Sequence, residues 1–159
     1  SVVKRIKAFV VAASKKGSKV KLAISASELN SLIAYNPDLI KFKKFVKFTI
    51  REKRLFADMS LPLDVIPSMI ESGKGHYLNG EAELRVFIKK SEGLNVQFYE
   101  LFQDGVKVQA DALDSMQMRN LLDYYPKLED LRANFDLVLE VEILEGSLLL
   151  KSFKEKVEE

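Results

Sequence analysis

The stretch from Glu81 to Val108 reads EAELRVFIKKSEGLNVQFYELFQDGVKV. Apolar side chains occupy every second position on both sides of Ser91-Glu92-Gly93, and Gln103-Asp104-Gly105 precedes a third apolar run. A period of two places alternate side chains on opposite faces of a strand, and short turns with glycine join antiparallel neighbours. This stretch therefore predicts three strands of an antiparallel meander.

Two further strands are predicted upstream of this stretch. After Lys44 the period changes to two, with Val46, Phe48 and Ile50 on one face, up to the polar turn Glu52-Lys53-Arg54. The run from Leu55 to Leu61 is the predicted return strand of this hairpin. The meander therefore has five predicted strands.

Helical spacing marks the first part of the chain. Apolar residues from Val2 to Ala13 recur every three or four positions between basic residues, which predicts a short basic amphipathic helix. A strand over Val20 to Ile24 follows it, and Ser25-Ala26-Ser27-Glu28 is the S-x-x-E capping box of a second helix. That helix is expected to end or bend at Asn36-Pro37, because the residue before proline is pushed out of the α region.

The last third of the chain predicts one more helix and a hairpin. Helical spacing runs from Asp111 to Tyr125, while the segments Phe135 to Ile143 and Ser147 to Phe153 alternate around Glu145-Gly146. The expected fold class is α+β, with a curved antiparallel β-sheet meander packed against two main helices in the order α-β-α-βββββ-α-ββ. Residues 1–18 form the expected N-terminal basic amphipathic helix and linker, and residues 19–159 a single α+β domain.

Composition excludes several kinds of site. The 159 residues include no cysteine and a single histidine, so thiolate metal sites, cysteine nucleophiles and multi-histidine metal centres are ruled out. That histidine, His76, lies in the string His76-Tyr77-Leu78-Asn79-Gly80, which we interpret as a turn. No metal, no cofactor and no enzymatic activity are expected.

Alternating carboxylates offer the one catalytic hypothesis. Glu81 and Glu83, and Glu140 and Glu142, alternate with apolar residues on predicted strands. Paired carboxylates serve hydrolases, but this alternation places them on a solvated sheet face, where cross-strand lysines would neutralise them. The solvated face is the favoured interpretation, and a carboxylate-dependent hydrolase is the third functional hypothesis.

The charge is unevenly distributed along the chain. Residues 1–54 hold 14 Lys/Arg and 3 Asp/Glu, whereas residues 55–159 hold 11 and 20, for a net charge of +2. Such polarity suits an anionic partner, either nucleic acid or a phospholipid surface, or else is neutralised between neighbouring strands. Phenylalanines interleave with lysines from Lys41 to Arg54, but Phe48 shares its face with Val46 and Ile50, which favours core over a nucleic-acid platform.

The first helix has two interpretations. It lies on an anionic membrane surface, or it docks on the rest of the domain. In the first case Lys4, Arg5, Lys7 and Phe9 are the membrane-facing residues. The opening without a start methionine suggests a processed product, so an extracytoplasmic location with a removed N-terminal anchor is expected, while a cytoplasmic one stays open.

The string from Val20 to Ile33, VKLAISASELNSLI, resembles the opening of several bacterial membrane-anchored or lipoprotein families. In those families a strand leads into a helix through a Ser/Thr-x-x-Glu-Leu-Asn motif, and a long antiparallel meander follows outside the cytoplasm. Some are similar to tubular lipid-binding domains, in which a sheet wraps a long helix and holds acyl chains. Beyond this string the resemblance rests on element order, and neither predicted helix has the length of such a central helix.

The resemblance implies a ligand site as well as a fold. Its expected lining residues come from one helix and from two strands; they are Leu29, Leu32, Ile33, Phe48, Ile50, Val96 and Phe98. The leading hypothesis is a non-enzymatic binding domain of the cell envelope for a lipid or other apolar small molecule. The alternative is a structural or protein-interaction module with a filled interior, because a cavity and a core require the same apolar residues.

Overall fold

The computed structural model describes residues 1–35, 46–62, 71, 74–90, 92–103, 105–107, 120 and 135–155. The two helices described are α1 (Val2–Ala13) and α2 (Ala26–Tyr35). The strands are β1 (Lys21–Ser25), β2 (Val46–Arg51), β3 (Arg54–Pro62), β4 (Tyr77–Lys89), β5 (Gly93–Gln103), β6 (Val106–Lys107), β7 (Glu140–Ile143) and β8 (Ser147–Lys151). The predicted α+β class is confirmed. The helix predicted over Asp111 to Tyr125 lies, apart from Asn120, outside the described residues, as does the stretch from Lys41 to Phe45.

The predicted meander forms one five-stranded antiparallel sheet, with β2 to β6 side by side in chain order. Its first hairpin turns through Glu52 and Lys53, which both have positive φ angles, of 53° and 57°. That pair is typical of the two-residue turn whose twist matches its strands. The backbone N–H of Glu52 donates to the carboxylate of Glu145, 3.2 Å away, so the turn is tied to the β7–β8 hairpin.

The ends of the chain form a second sheet. Its strand order is β1-β8-β7, so β1 pairs with a strand more than 120 residues away, from Lys21 opposite Lys151 to Ser25 opposite Ser147. The hairpin of β7 and β8 was predicted, but its pairing with β1 was not. The described strands therefore form two antiparallel sheets instead of a single curved one.

Two hydrophobic clusters hold these elements together. The larger one joins the inner side of the five-stranded sheet to Leu148 of β8. The smaller one lies where Phe9 of α1 packs on Leu22 and Ile24 of β1. Leu29 of α2 and Leu150 of β8 contact both clusters, so α2 and β8 connect the two parts of the core.

Two segments differ from their predictions. Tyr77 to Gly80 was interpreted as a turn, but these residues begin β4 and pair with Pro62 to Met59 of β3. The strand predicted from Phe135 begins only at Glu140. Residues 135–138 instead form a turn in which the N–H of Val138 donates to the Phe135 carbonyl, because Val138 is buried in the smaller cluster.

Candidate functional site: the inner face of the five-stranded sheet

The inner face of the five-stranded sheet is apolar from β2 to β5. The strand register places these side chains on one side, since directly opposed residues of antiparallel strands point the same way. Ile50 opposes Leu55, which in turn opposes Leu84. Beyond a bulge after Glu83, Leu84 opposes Phe98. The inner face comprises Val46, Phe48, Ile50, Leu55, Ala57, Met59, Ala82, Leu84, Val86, Val96, Phe98 and Leu101.

Burial changes along this face. One part is buried together with Leu148 of the smaller sheet; it consists of Ile50, Leu55, Ala57, Ala82, Leu84 and Leu101. The other part packs against the first but is only half-buried; it consists of Val46, Phe48, Met59, Val86, Val96 and Phe98. Among the residues that the structure describes, the face is therefore a closed core beside β8 with half-buried apolar side chains on both flanks, one on β2 and β3 and the other on β4 and β5.

The residues predicted to line a groove divide in the same way. Ile50 is in the buried core, whereas Phe48, Val96 and Phe98 are half-buried on the inner face, and Leu29 of α2 packs against the same cluster. The other two predicted residues, Leu32 and Ile33, are half-buried on α2 and belong to neither cluster of the described residues. The structure thus brings Leu29, Phe48, Val96 and Phe98 to one cluster.

The predicted capping box is confirmed at the start of α2. The N–H of Glu28 donates to the Ser25 hydroxyl at 3.1 Å, and the N–H of Ser25 donates to the Glu28 carboxylate at 3.1 Å. The same carboxylate forms an ion pair with Arg5 of α1, whose guanidinium also donates to the carbonyl of Ala23. The backbone N–H of Ser25, followed by the charge of Arg5, lowers the pKa of the Glu28 carboxyl against an opposing effect of desolvation.

We expect Glu28→Gln to lower stability in a pH-dependent way. Glutamine keeps a capping oxygen but loses the charge that faces Arg5. Because the folded-state pKa of Glu28 is lowered, its charge stabilises the fold above about pH 4.5, its ordinary pKa, and this contribution is lost as the pH falls through the folded-state value. Thermal unfolding at pH 7 and pH 3 should show a gap in melting temperature between the wild type and Glu28→Gln that is larger at pH 7. A gap of equal size at both pH values would contradict this prediction, and exposed Glu71→Gln is the control.

Asn30, the last residue of the Glu-Leu-Asn string, attaches α2 to the edge of the sheet. Its side-chain carbonyl accepts from the backbone N–H of Phe48 at 2.7 Å, and its amide donates to the carbonyl of the same residue at 3.0 Å. β2 is the edge strand, so the amide takes the place of a neighbouring strand. Sequence reasoning missed this role, although the motif contained the residue.

A second asparagine makes the matching contact on β5. The side chain of buried Asn120 accepts from the N–H of Val96 at 3.1 Å and donates to the carbonyl of Leu94 at 3.0 Å. Asparagine carries both a donor and an acceptor, which allows it to satisfy a strand edge as a backbone would. Asn30 and Asn120 thus hold the two strands that carry Phe48, Val96 and Phe98.

The carboxylates of the hydrolase hypothesis are held by basic side chains. Glu83 is buried and accepts two hydrogen bonds from Arg54, at 2.7 and 2.5 Å. Glu81 pairs with Arg51 at 2.5 Å. Both pairs lie on the outer face of the five-stranded sheet. Arg51, Glu81 and Arg54, but not Glu83, line a groove of about 860 Å³ that contains none of the predicted lining residues.

The other two carboxylates belong to a cluster on the smaller sheet. Buried Lys151 lies 3.8 Å from Glu140 and 3.7 Å from Glu142, and it donates to Glu155 at 2.6 Å. These charges raise the pKa of Lys151, chiefly through the hydrogen bond with Glu155. All four carboxylates therefore have cationic neighbours, as expected, but Glu83 is buried, so the predicted solvated face is wrong at this position.

Internal neutralisation also accounts for part of the charge polarity along the chain. Arg51 and Arg54 pair with acidic residues of β4, and Lys21 pairs with Glu155 at 3.1 Å. Each of these pairs joins the basic first third to the acidic remainder. The lysines of α1 do not take part in such pairs within the described residues.

The residues predicted to face a membrane are not on one face of α1. Phe9 is buried against Leu22 and Ile24, and while α1 is docked in this way its side chain is closed to a membrane. Arg5 points to Glu28, whereas Lys4 and Lys7 are exposed. Neither described helix has the length and apolar character needed to span a bilayer.

The described residues contain no group of three or more His, Asp or Glu side chains placed to hold a metal ion. His76 is exposed next to the start of β4. No family model, curated protein or solved structure matches this chain.

Proposed function

We propose that this protein is a non-enzymatic binding domain of the cell envelope that holds a lipid or another apolar ligand. The observation that carries the proposal is the incomplete burial of the inner face of the five-stranded sheet. Phe48 on β2 and Val96 and Phe98 on β5 are half-buried apolar side chains that flank the closed core on its two sides. Binding of an apolar ligand removes such surface from water, which stabilises the complex by about 25 cal/mol per Å².

The anchoring of the site supports a preformed binding surface. Asn30 fixes β2 relative to α2, and Asn120 fixes β5, each through two hydrogen bonds to backbone groups. Rigid walls reduce the entropy lost when a ligand binds. Leu29 of α2 closes one side of the proposed binding surface, because its side chain packs against both clusters of the core.

The location in the envelope rests on the resemblance of the string from Val20 to Ile33. Three residues of its motif have structural roles that a strand-to-helix opening requires. Ser25 and Glu28 cap α2, and Asn30 attaches α2 to the sheet. These roles give the motif a physical reason to recur in a sheet-and-helix domain.

Native mass spectrometry of the purified protein, before and after extraction with organic solvent, tests the proposal. We expect an additional mass on the scale of one lipid that disappears on extraction, and renewed uptake of a fluorescent fatty acid afterwards. Val96→Asp should abolish uptake, because it places a charge on the inner face of β5. Val106→Asp makes the same change at a valine that is 69% exposed, and it should leave uptake intact.

The absence of both bound lipid and fatty-acid uptake in the wild-type protein would refute the proposal. In that case the interior is filled, and the protein-interaction module becomes the better explanation. Circular dichroism of both variants controls for loss of fold, since Val96 packs against the core.

A further inference from the structure

One face of α1 has no partner among the residues that the structure describes. The face opposite Phe9 exposes Val3 by 45% and Val11 by 62%. Lys7 lies midway between the two valines, and spacing of four residues places all three on one stripe of the helix. Lys4 is exposed on the same side, one turn before Lys7.

This face is also positively charged without compensation. Residues 1–27 contain seven Lys/Arg and no Asp or Glu. Arg5 and Lys21 are paired with Glu28 and Glu155. The exposed lysines at positions 4, 7, 15 and 16 form no ion pair in the part of the chain that the structure describes.

We propose that the outer face of α1, comprising Val3, Lys4, Lys7 and Val11 with Lys15 and Lys16 beyond the helix end, docks on an anionic phospholipid bilayer. Unpaired lysines around exposed valines suit the boundary of headgroups and acyl chains, where phosphates meet the ammonium groups and the valines leave water. A nucleic acid would use the lysines but not the valines. A protein interface would be expected to centre on aromatic or arginine anchors, which this face lacks.

This docking does not depend on the binding of an apolar ligand. It assigns the membrane contact to Val3 and Val11 in place of Phe9 and Arg5, whose side chains are engaged in holding α1 to β1 and α2. The helix therefore stays docked on the domain while its other face meets the bilayer. The domain is then held at the membrane surface through this face of α1.

The lysines set the expected size of the effect. Each basic residue near an anionic surface strengthens binding by about fivefold, so four of them predict a preference of a few hundredfold for anionic over neutral vesicles at low salt. Screening should remove most of this preference at about 1 M salt, where the Debye length falls to about 3 Å.

Vesicle sedimentation of the full chain tests the charge requirement. We expect binding to vesicles of phosphatidylglycerol and phosphatidylcholine, and little to phosphatidylcholine alone. The double variant Lys4→Glu, Lys7→Glu should lose about 25-fold or more in affinity, at fivefold for each lysine removed. The double variant Lys53→Glu, Lys74→Glu makes the same charge change at exposed lysines elsewhere, and it should bind like the wild type. Equal losses in the two variants, or equal binding to both vesicles, would overturn the proposal.

A tryptophan probe tests the contact itself, since the chain contains no tryptophan. In Val11→Trp we expect a blue shift of the emission with anionic vesicles and quenching by brominated lipid. Val106→Trp, at a valine exposed by 69% on β6, should show neither. An unshifted emission of Val11→Trp in vesicle-bound protein would show that another surface makes the contact and would overturn the assignment of this face.

Discussion

Replacing Asn30 with leucine is expected to destabilise the protein by about 2 to 4 kcal/mol. Leucine has nearly the shape of asparagine, so it fills the same space and keeps water out. The N–H and C=O of Phe48, which the asparagine bonds at 2.7 and 3.0 Å, then lose their partners. An unsatisfied backbone group at a partly buried site costs about 1 to 3 kcal/mol. Urea unfolding followed by circular dichroism measures the loss.

Asn79→Leu is the matched control for this substitution. Asn79 is exposed on β4, so the same exchange should change the free energy of unfolding by less than about 0.5 kcal/mol. Similar losses in the two variants would mean that the Asn30 amide does not hold the strand edge. The unpaired edge of β2 should also make Asn30→Leu more prone to aggregate than the control, because exposed edges recruit other strands.

Asn30→Asp separates the two hydrogen bonds. At pH 7 the carboxylate still accepts from the N–H of Phe48, but its other oxygen faces the carbonyl that the amide donated to. At acidic pH the protonated carboxyl supplies an O–H donor in that position. The stability difference from the wild type should therefore be smaller at pH 4 than at pH 7. A difference that grows on acidification would argue against this geometry.

The local features of this fold were readable from the sequence because each depends on neighbours along the chain. Alternation and glycine turns predicted β4 and β5, and the S-x-x-E string predicted the start of α2. The Asn30 contact could not be found in this way, since it depends on which strand edge is left open. The signal was present as a polar residue next to Leu29, on a helix that packs against the sheet.

Long-range pairing was the main feature that the sequence did not reveal. β1 and β8 are separated by more than 120 residues, and their alternation is equally compatible with other partners. Alternation alone also extended the strand before β7 too far, to Phe135. Val138 interrupts that alternation, since it is an apolar residue at a position of the polar phase, and it is buried in a turn. The lining residues were expected from the resemblance of the string from Val20 to Ile33, whereas the degree of their burial depended on the second sheet.

The prediction for Leu84→Ala concerns the closed part of the inner face. Leu84 is 5% exposed, opposes Leu55 on β3 and belongs to the cluster that includes Leu148 of β8. Its truncation removes buried methyl groups and leaves a cavity that two packed sheets cannot close. We expect a loss of about 3 to 4 kcal/mol in the free energy of unfolding, measured by urea titration.

Leu139→Ala is the control, because it removes the same atoms from a leucine that is 40% exposed and should cost less than about 1 kcal/mol. Phe98, which opposes Leu84 on β5, is only half-buried, so Phe98→Ala should cost less than truncation of a fully buried phenylalanine, about 3 to 5 kcal/mol. If Leu84→Ala cost no more than its control, the space between the sheets would not be a packed core. The free energy of unfolding of the wild type and of Phe98→Ala should also be compared before and after lipid extraction. If extraction weakened the wild type and thereby reduced the cost of Phe98→Ala, the contacts that Phe98 lacks within the protein would be those made by the ligand. The two truncations therefore distinguish the part of this face that stabilises the fold from the part that we propose binds an apolar molecule.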